Sequence, residues 1–183
     1  MAAKNAVIFH GTGTRPDEFW FPYLKENLES RGYSVWLPQL PNADKPNIAE
    51  WLPFALDNGT FTENTVLIGH SKGSALILHI LEKIDVRVKQ AILVAGYAEA
   101  LPKNDTDDSK DEFKWDTIRS RVENIVFVNS DNDPWKCDDK QGRILFDHIG
   151  GTQIILHGEG HMGSGTFKQP YKKFPLLTRL VVD

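Results

Sequence analysis

Three residues of this sequence are of the types, and arrive in the order, that a nucleophilic relay needs: Ser71, Asp133 and His161. Ser71 sits in Gly69-His70-Ser71-Lys72-Gly73, straight after the β-prone run Thr65-Val66-Leu67-Ile68 and just before a helical apolar pattern that opens with Ala75-Leu76. The stretch reads as a strand, a tight turn and a helix, with the serine at the tip of the turn in a strained backbone conformation. Gly69 and Gly73 leave no side chains to collide where strand and helix approach each other. The hydroxyl then projects at a helix N-terminus, where unpaired N–H groups and the positive dipole end favour a developing oxyanion. The backbone N–H of Lys72 is a natural donor there, and that of Thr12, in the loop Gly11-Thr12-Gly13-Thr14, is expected to be the second.

A serine hydroxyl is a poor nucleophile at neutral pH, and histidine is the side chain whose ordinary titration range suits the task of taking its proton. His161 is the candidate base, because its flanking glycines in Gly158-Glu159-Gly160-His161-Met162-Gly163 let a loop bring the ring over a sheet edge. His157 ends a strand, His70 packs in the turn beside the serine, His10 braces the loop after the first strand, and His79 falls inside a helix. The base in turn needs a carboxylate to fix its tautomer and stabilise the imidazolium. Asp133, in Ser130-Asp131-Asn132-Asp133-Pro134-Trp135, is chosen over Asp131, Asp138 and Asp139; an Asp-Pro turn is the structural alternative for it.

Each of the three must be delivered by a loop that follows a strand, and the chain supplies such strands. Ala6-Val7-Ile8-Phe9-His10 is the first, followed by a helix from Phe19 to Glu29 that Arg31-Gly32 closes. Ser34 to Leu37 is the second strand, and a proline-rich loop leads to a short helix from Asn47 to Leu56. The helix after Ser71 runs from Lys72 to about Ile84. Gln90 to Ala95 and Ile125 to Asn129 are further buried strands, the second of them delivering Asp133. Gln141 to His148 is helical, Thr152 to Leu156 is the last strand, and a helix from Tyr171 to Val182 closes the chain. Strand and helix alternate as in a doubly wound parallel sheet, giving an α/β fold with three layers, α/β/α. Residues 96 to 122 break the rhythm. There Asn104 to Glu112 is almost wholly polar and is expected to be a mobile surface loop, with Phe113, Trp115 and Ile118 in a short helix near the mouth of the site. Gly11-x-Gly13 invites a dinucleotide reading, but Pro16 replaces the third glycine and the second strand ends without an acidic ribose ligand.

At 183 residues and 40% hydrophobic content, one domain over residues 1–183 with no large cap is the expectation. The net charge of −4 comes from interspersed signs, which gives no footprint for nucleic acid. No apolar run reaches the roughly 20 residues that span a bilayer, so no membrane association is expected. Cys137 is the sole cysteine, which excludes an internal disulfide and a cysteine-based structural zinc site. With no signal-peptide core at the N-terminus, a cytoplasmic location is expected.

Taken together, His10-Gly11-Thr12-Gly13, Gly69-His70-Ser71-Lys72-Gly73, Asp131-Asn132-Asp133-Pro134 and Gly160-His161 resemble the α/β-hydrolase superfamily. Within it, the small size, the segment Phe21-Pro22-Tyr23-Leu24-Lys25 and the Asp-x-Asp-Pro motif resemble the short serine hydrolases related to the retinoblastoma-binding serine hydrolase. The resemblance implies a Ser71-Asp133-His161 triad and a six-stranded parallel sheet in the order 2-1-3-4-5-6. It also implies hydrolysis of small ester, thioester or activated amide bonds through an acyl-enzyme, with no metal or organic cofactor. A protein-interaction scaffold on the same fold is the alternative, although no protein partner is indicated. Trp20, Phe21, Tyr97, Phe113, Trp115 and Trp135 are the candidate pocket walls, and the charge on Lys72 is expected to bias the pocket towards anionic substrates.

Overall fold

The structure, a computed structural model, describes residues 3–98 and 113–182. Six strands form one sheet: β1 (Asn5–Phe9), β2 (Ser34–Trp36), β3 (Thr65–His70), β4 (Val88–Val94), β5 (Val122–Ser130) and β6 (Thr152–Leu156), in the order β2-β1-β3-β4-β5-β6. Every pairing is parallel, with Ile8 opposite Ile68, Ile68 opposite Ile92, Leu93 opposite Phe127 and Val128 opposite Ile154. The helices that supply the crossovers are α1 (Phe21–Ser30), α2 (Ile48–Asn58), α3 (Lys72–Leu81), α4 (Trp115–Ser120) and α5 (Asp139–Ile149), with α6 (Pro175–Leu180) at the end.

The period of two along each strand divides the core. Ala6, Ile8, Val66, Ile68, Ile92, Val94, Val126 and Val128 face one side, where Phe21, Leu24 and Leu28 of α1 and Leu177 of α6 cover them. Val7, Phe9, Leu67, Ala91, Leu93, Ile125 and Phe127 face the other, beneath Trp51 of α2, the apolar residues of α3, Ile118 of α4 and Leu145 of α5. α3 is buried along its whole length, as expected for the helix behind a central strand. This is the expected three-layer arrangement in the expected strand order.

Boundaries move where backbone chemistry dictates. The last helix, expected from Tyr171, begins only at Pro175, since proline at N1 disfavours helical backbone before it and Phe174 lies outside the helical region (φ −139°, ψ 75°). α2 starts where Asn47 caps it, its side chain accepting the Ala49 N–H at 2.8 Å. α3 ends at Leu81 instead of Ile84, its last turn tightening as Lys83 donates to the Ile80 carbonyl at 2.8 Å. The expectation of a mobile loop from Asn104 to Glu112 concerns residues outside those described. No helix among the described residues is long and apolar enough to cross a membrane.

Candidate active site

β3 runs into the turn at Ser71, whose backbone holds φ 54° and ψ −119°, a conformation costly for any residue with a side chain. The crowding around it accounts for the glycines. A Cβ on Gly69 would stand 2.6 Å from the Gly73 carbonyl oxygen, and one on Gly73 would run into the carbonyl of Phe9 at the end of β1. The turn is tied to the sheet by the Ser71 N–H, which donates to the Val94 carbonyl at 2.9 Å. Ser71 thus stands between the ends of β1 and β4.

His161 and Asp133 meet in a buried pair. Nδ1–H of His161 donates to Oδ2 of Asp133 at 2.7 Å, while Oδ1 of Asp133 accepts the Trp135 N–H at 2.8 Å. The carboxylate is fully enclosed and the imidazole 7% exposed, so solvent screens the pair little. Because Nδ1 carries the proton towards Asp133, Nε2 of His161 is left with a lone pair. His161 and Ser71 line one cavity of about 270 Å³, together with Thr12, Phe19, Tyr97, Trp135 and Cys137, among others. Asp131 is engaged elsewhere: it accepts from Nδ1 of the exposed His157 at 2.6 Å and from the Gly158 N–H at 2.9 Å. The backbone bond from Gly158 and then His157 lower its pKa, and the bond to Asp131 raises that of His157.

The loop that carries His161 is held by consecutive backbone bonds. The side chains of Asp131, Ser130 and Asn132 accept the N–H groups of Gly158, Glu159 and Gly160 at 2.9, 3.0 and 2.8 Å, and Gln169 accepts that of His161 at 2.9 Å. Gly160 has φ +58°, and a Cβ there would collide with the Gln169 amide. From the other side, His70 donates from Nε2 to the His161 carbonyl at 2.8 Å, and Trp20 donates from Nε1 to the Met162 carbonyl at 2.9 Å. Burial, and then the neighbouring His161, pushes the His70 pKa down to about 3, so its ring is a neutral prop. His10 braces the other wall. The Leu40 N–H donates to its Nε2 at 3.0 Å, so Nδ1 carries the proton and donates to the Gly11 carbonyl at 2.9 Å. Burial lowers its pKa as well.

Thr12 lies on the cavity wall and Lys72 is the first residue of α3, where helix N–H groups have no partner within the helix. The Lys72 side chain takes another path: it is buried, and its Nζ donates to the Pro46 carbonyl at 3.0 Å. It does not line the cavity, and the expected bias towards anionic substrates loses its basis. Of the expected pocket walls, Tyr97 and Trp135 line the cavity, whereas Trp20 and Phe21 are fully enclosed in the core against His70. Trp115 stacks on His148 with centroids 4.5 Å apart, and Phe113 packs on His79 in the same core layer, so α4 does not approach the cavity.

Residues not singled out from the sequence also line it. They are Glu18, Phe19, residues 164–166 and Cys137, and none carries a motif; their common signal is position, in loops that follow β1, β5 and β6. The bracing by Asn132 and Ser130 was more accessible: short polar side chains after a strand, opposite a glycine-rich loop with bare amides, are suited to such bonds.

Residues 6–181 match the serine hydrolase family as a whole. YdeN of Bacillus subtilis is 36% identical over 102 residues, a match that spans about half of each protein, 54% of this chain and 54% of YdeN. The serine hydrolase RBBP9 of Rattus norvegicus is 25% identical over 146 residues, covering 74% of this chain and 77% of that protein. The crystal structure of the B. subtilis ydeN gene product superposes with a TM-score of 0.89 at 24% identity, over 97% of this chain and 96% of that one.

Proposed function

The chain belongs to the serine hydrolase family, and we propose that it is an esterase-like member that cleaves small ester, thioester or activated amide bonds through an acyl-enzyme. The observation that carries this reading is the enclosed Asp133–His161 pair beside a cavity that Ser71 enters from a strained turn. In the proposed cycle Ser71 Oγ attacks the substrate carbonyl carbon while its proton passes to Nε2 of His161. The Asp133 carboxylate stabilises the imidazolium at Nδ1. Negative charge develops on the carbonyl oxygen, where the backbone N–H groups of Thr12 and Lys72 are assigned as donors. Collapse expels the alcohol, thiol or amine with the proton from His161, and a water activated by the same ring then releases the acid and restores Ser71.

The rest of the proposal concerns setting. The chain works as a single domain, on small-molecule substrates that reach the cavity without a large cap. A reducing cytoplasm suits its one cysteine. Hydrolysis of p-nitrophenyl acetate tests the reading. Wild type should turn over, and Ser71→Ala should lose activity by roughly three or more orders of magnitude; equal rates in the two proteins would refute it.

A further inference from the structure

We propose that Cys137 and His161 together form a binding site for a soft divalent metal ion, Zn²⁺ or Cd²⁺, inside the cavity, and that its occupation inhibits the enzyme. The inhibitory consequence rests on His161 being the base of the proposed cycle; the binding itself does not.

Cys137 precedes Asp138, the N-cap of α5, and its side chain is fully buried in the fold yet lines the same cavity as Ser71 and His161. One potential donor atom from each of Asp133, Cys137 and His161 lies within 4.8 Å of the other two. Asp133 already accepts from Nδ1 of His161, which commits that nitrogen and leaves Nε2 as the lone pair available to a ligand. A carboxylate that holds the far nitrogen of an imidazole is also the outer-sphere arrangement that orients metal-bound histidines and raises their basicity. The device that prepares His161 to accept a proton therefore prepares it equally to accept a metal ion. Thiolate and neutral imidazole are the donor pair that Zn²⁺ and Cd²⁺ favour over oxygen ligands.

Zinc bonds of about 2.3 Å to sulfur and about 2.0 Å to nitrogen bring the two donors to within about 4 Å of each other. The Cys137 side-chain torsion is the freedom available to bring the sulfur to that separation from Nε2. On binding, the thiol proton leaves to solvent, the sulfur electron pair forms the bond to the metal, and nothing is oxidised or reduced. Water fills the remaining positions. With Nε2 occupied, His161 has no lone pair to take the Ser71 proton, so inhibition should be complete at saturation and reversed by a chelator.

The sequence makes the test clean, because Cys137 is its only cysteine and any thiolate–metal absorption must come from it. Titrating the protein with Cd²⁺ alone should produce a thiolate-to-metal charge-transfer band at one equivalent in wild type and in Ser71→Ala. The band should vanish in Cys137→Ser and Cys137→Ala, and binding should weaken by about tenfold or more in His161→Gln. In parallel, Zn²⁺ should inhibit ester hydrolysis, and the concentration for half-inhibition, measured against each protein's own rate, should rise about tenfold or more in Cys137→Ser. Absence of the band in folded wild type, or equal Zn²⁺ sensitivity with and without the thiol, overturns the site. If no ester is hydrolysed at all, the proposed function fails while the Cd²⁺ titration still decides this one.

Discussion

The ring of His70 donates from Nε2 to the backbone carbonyl of His161 at 2.8 Å, so the residue directly before Ser71 holds the residue proposed as its base. Strand β3 thereby sets both partners of the proposed proton transfer, one through its strained tip and the other through a side chain. His70→Leu keeps the volume but leaves the His161 carbonyl without its donor, at a cost of about 1–3 kcal/mol in stability. A shift of the ring by even an ångström costs up to about a hundredfold in rate. Loss of kcat with little change in KM is therefore expected for His70→Leu, and substantial rescue for His70→Gln, whose amide can reach the same carbonyl. Equal kcat/KM in wild type and His70→Leu would remove His70 from this positioning role.

Asp131 and Asp133 are two residues apart but face opposite ways, one to an exposed histidine and the other to the enclosed one. Asp133→Asn should reduce kcat by orders of magnitude, since an amide favours the wrong tautomer of His161. Asp131→Asn should cost no more than a few-fold, by loosening the loop at Gly158. Steady-state kinetics of the two variants decide the assignment, and comparable losses would reassign the acid.

Lys72 separates main-chain from side-chain roles. With its Nζ turned to Pro46, Lys72→Met should keep most of the activity. Burial lowers its pKa from 10.5 to about 8, so between those values the unfolded chain retains a proton that the folded chain has released. Stability from this group therefore rises as pH climbs from about 8 to 10.5 and is level below 8. Burial raises the Tyr97 phenol and works in the opposite sense at high pH, so the informative quantity is the difference between wild type and Lys72→Met in urea melts. A difference independent of pH would contradict the burial of the ammonium.

Acyl length reports on the cavity. Phe19, Tyr97 and Trp135 wall a space of about 270 Å³. Each methylene buried against them stabilises the transition state by about 0.8 kcal/mol, and one beyond them adds nothing. Acetyl to butyryl p-nitrophenyl esters should be preferred over octanoyl and longer ones. A steady rise in kcat/KM through dodecanoyl would show an apolar channel that the three aromatic walls do not provide.

What was legible in the sequence followed from local chemistry. Gly69 and Gly73 bracket Ser71 because no side chain fits against the carbonyls of Gly73 and Phe9, and such exclusions leave a pattern in one dimension. The strands and the approach of His161 to Asp133 were likewise readable, from alternation and from loops placed after strands, whereas the order of the strands came from the resemblance alone. What was not readable depended on the direction of side chains across the fold. Trp20 and Phe21, at the start of α1, pack into the core against His70, Lys72 bends back to Pro46, and Trp115 follows α4 to His148. Cys137 carried no signal of its place at the cavity for the same reason: as a lone cysteine it bears no spacing, and only the turn between β5 and α5 brings it there.

The proposed triad should act as a unit. Ser71→Ala and His161→Ala should each lower turnover by orders of magnitude, and the double variant should be little worse than either. Multiplying losses would mean that the two side chains contribute independently.

The nucleophile itself can be read by covalent labelling with a fluorophosphonate, which reports an activated serine whatever the natural substrate. Folded wild type should be labelled stoichiometrically, with the adduct on Ser71, and Ser71→Ala should not be labelled. Absence of labelling in folded wild type, or undiminished labelling of Ser71→Ala, would contradict the assignment of Ser71 as the nucleophile.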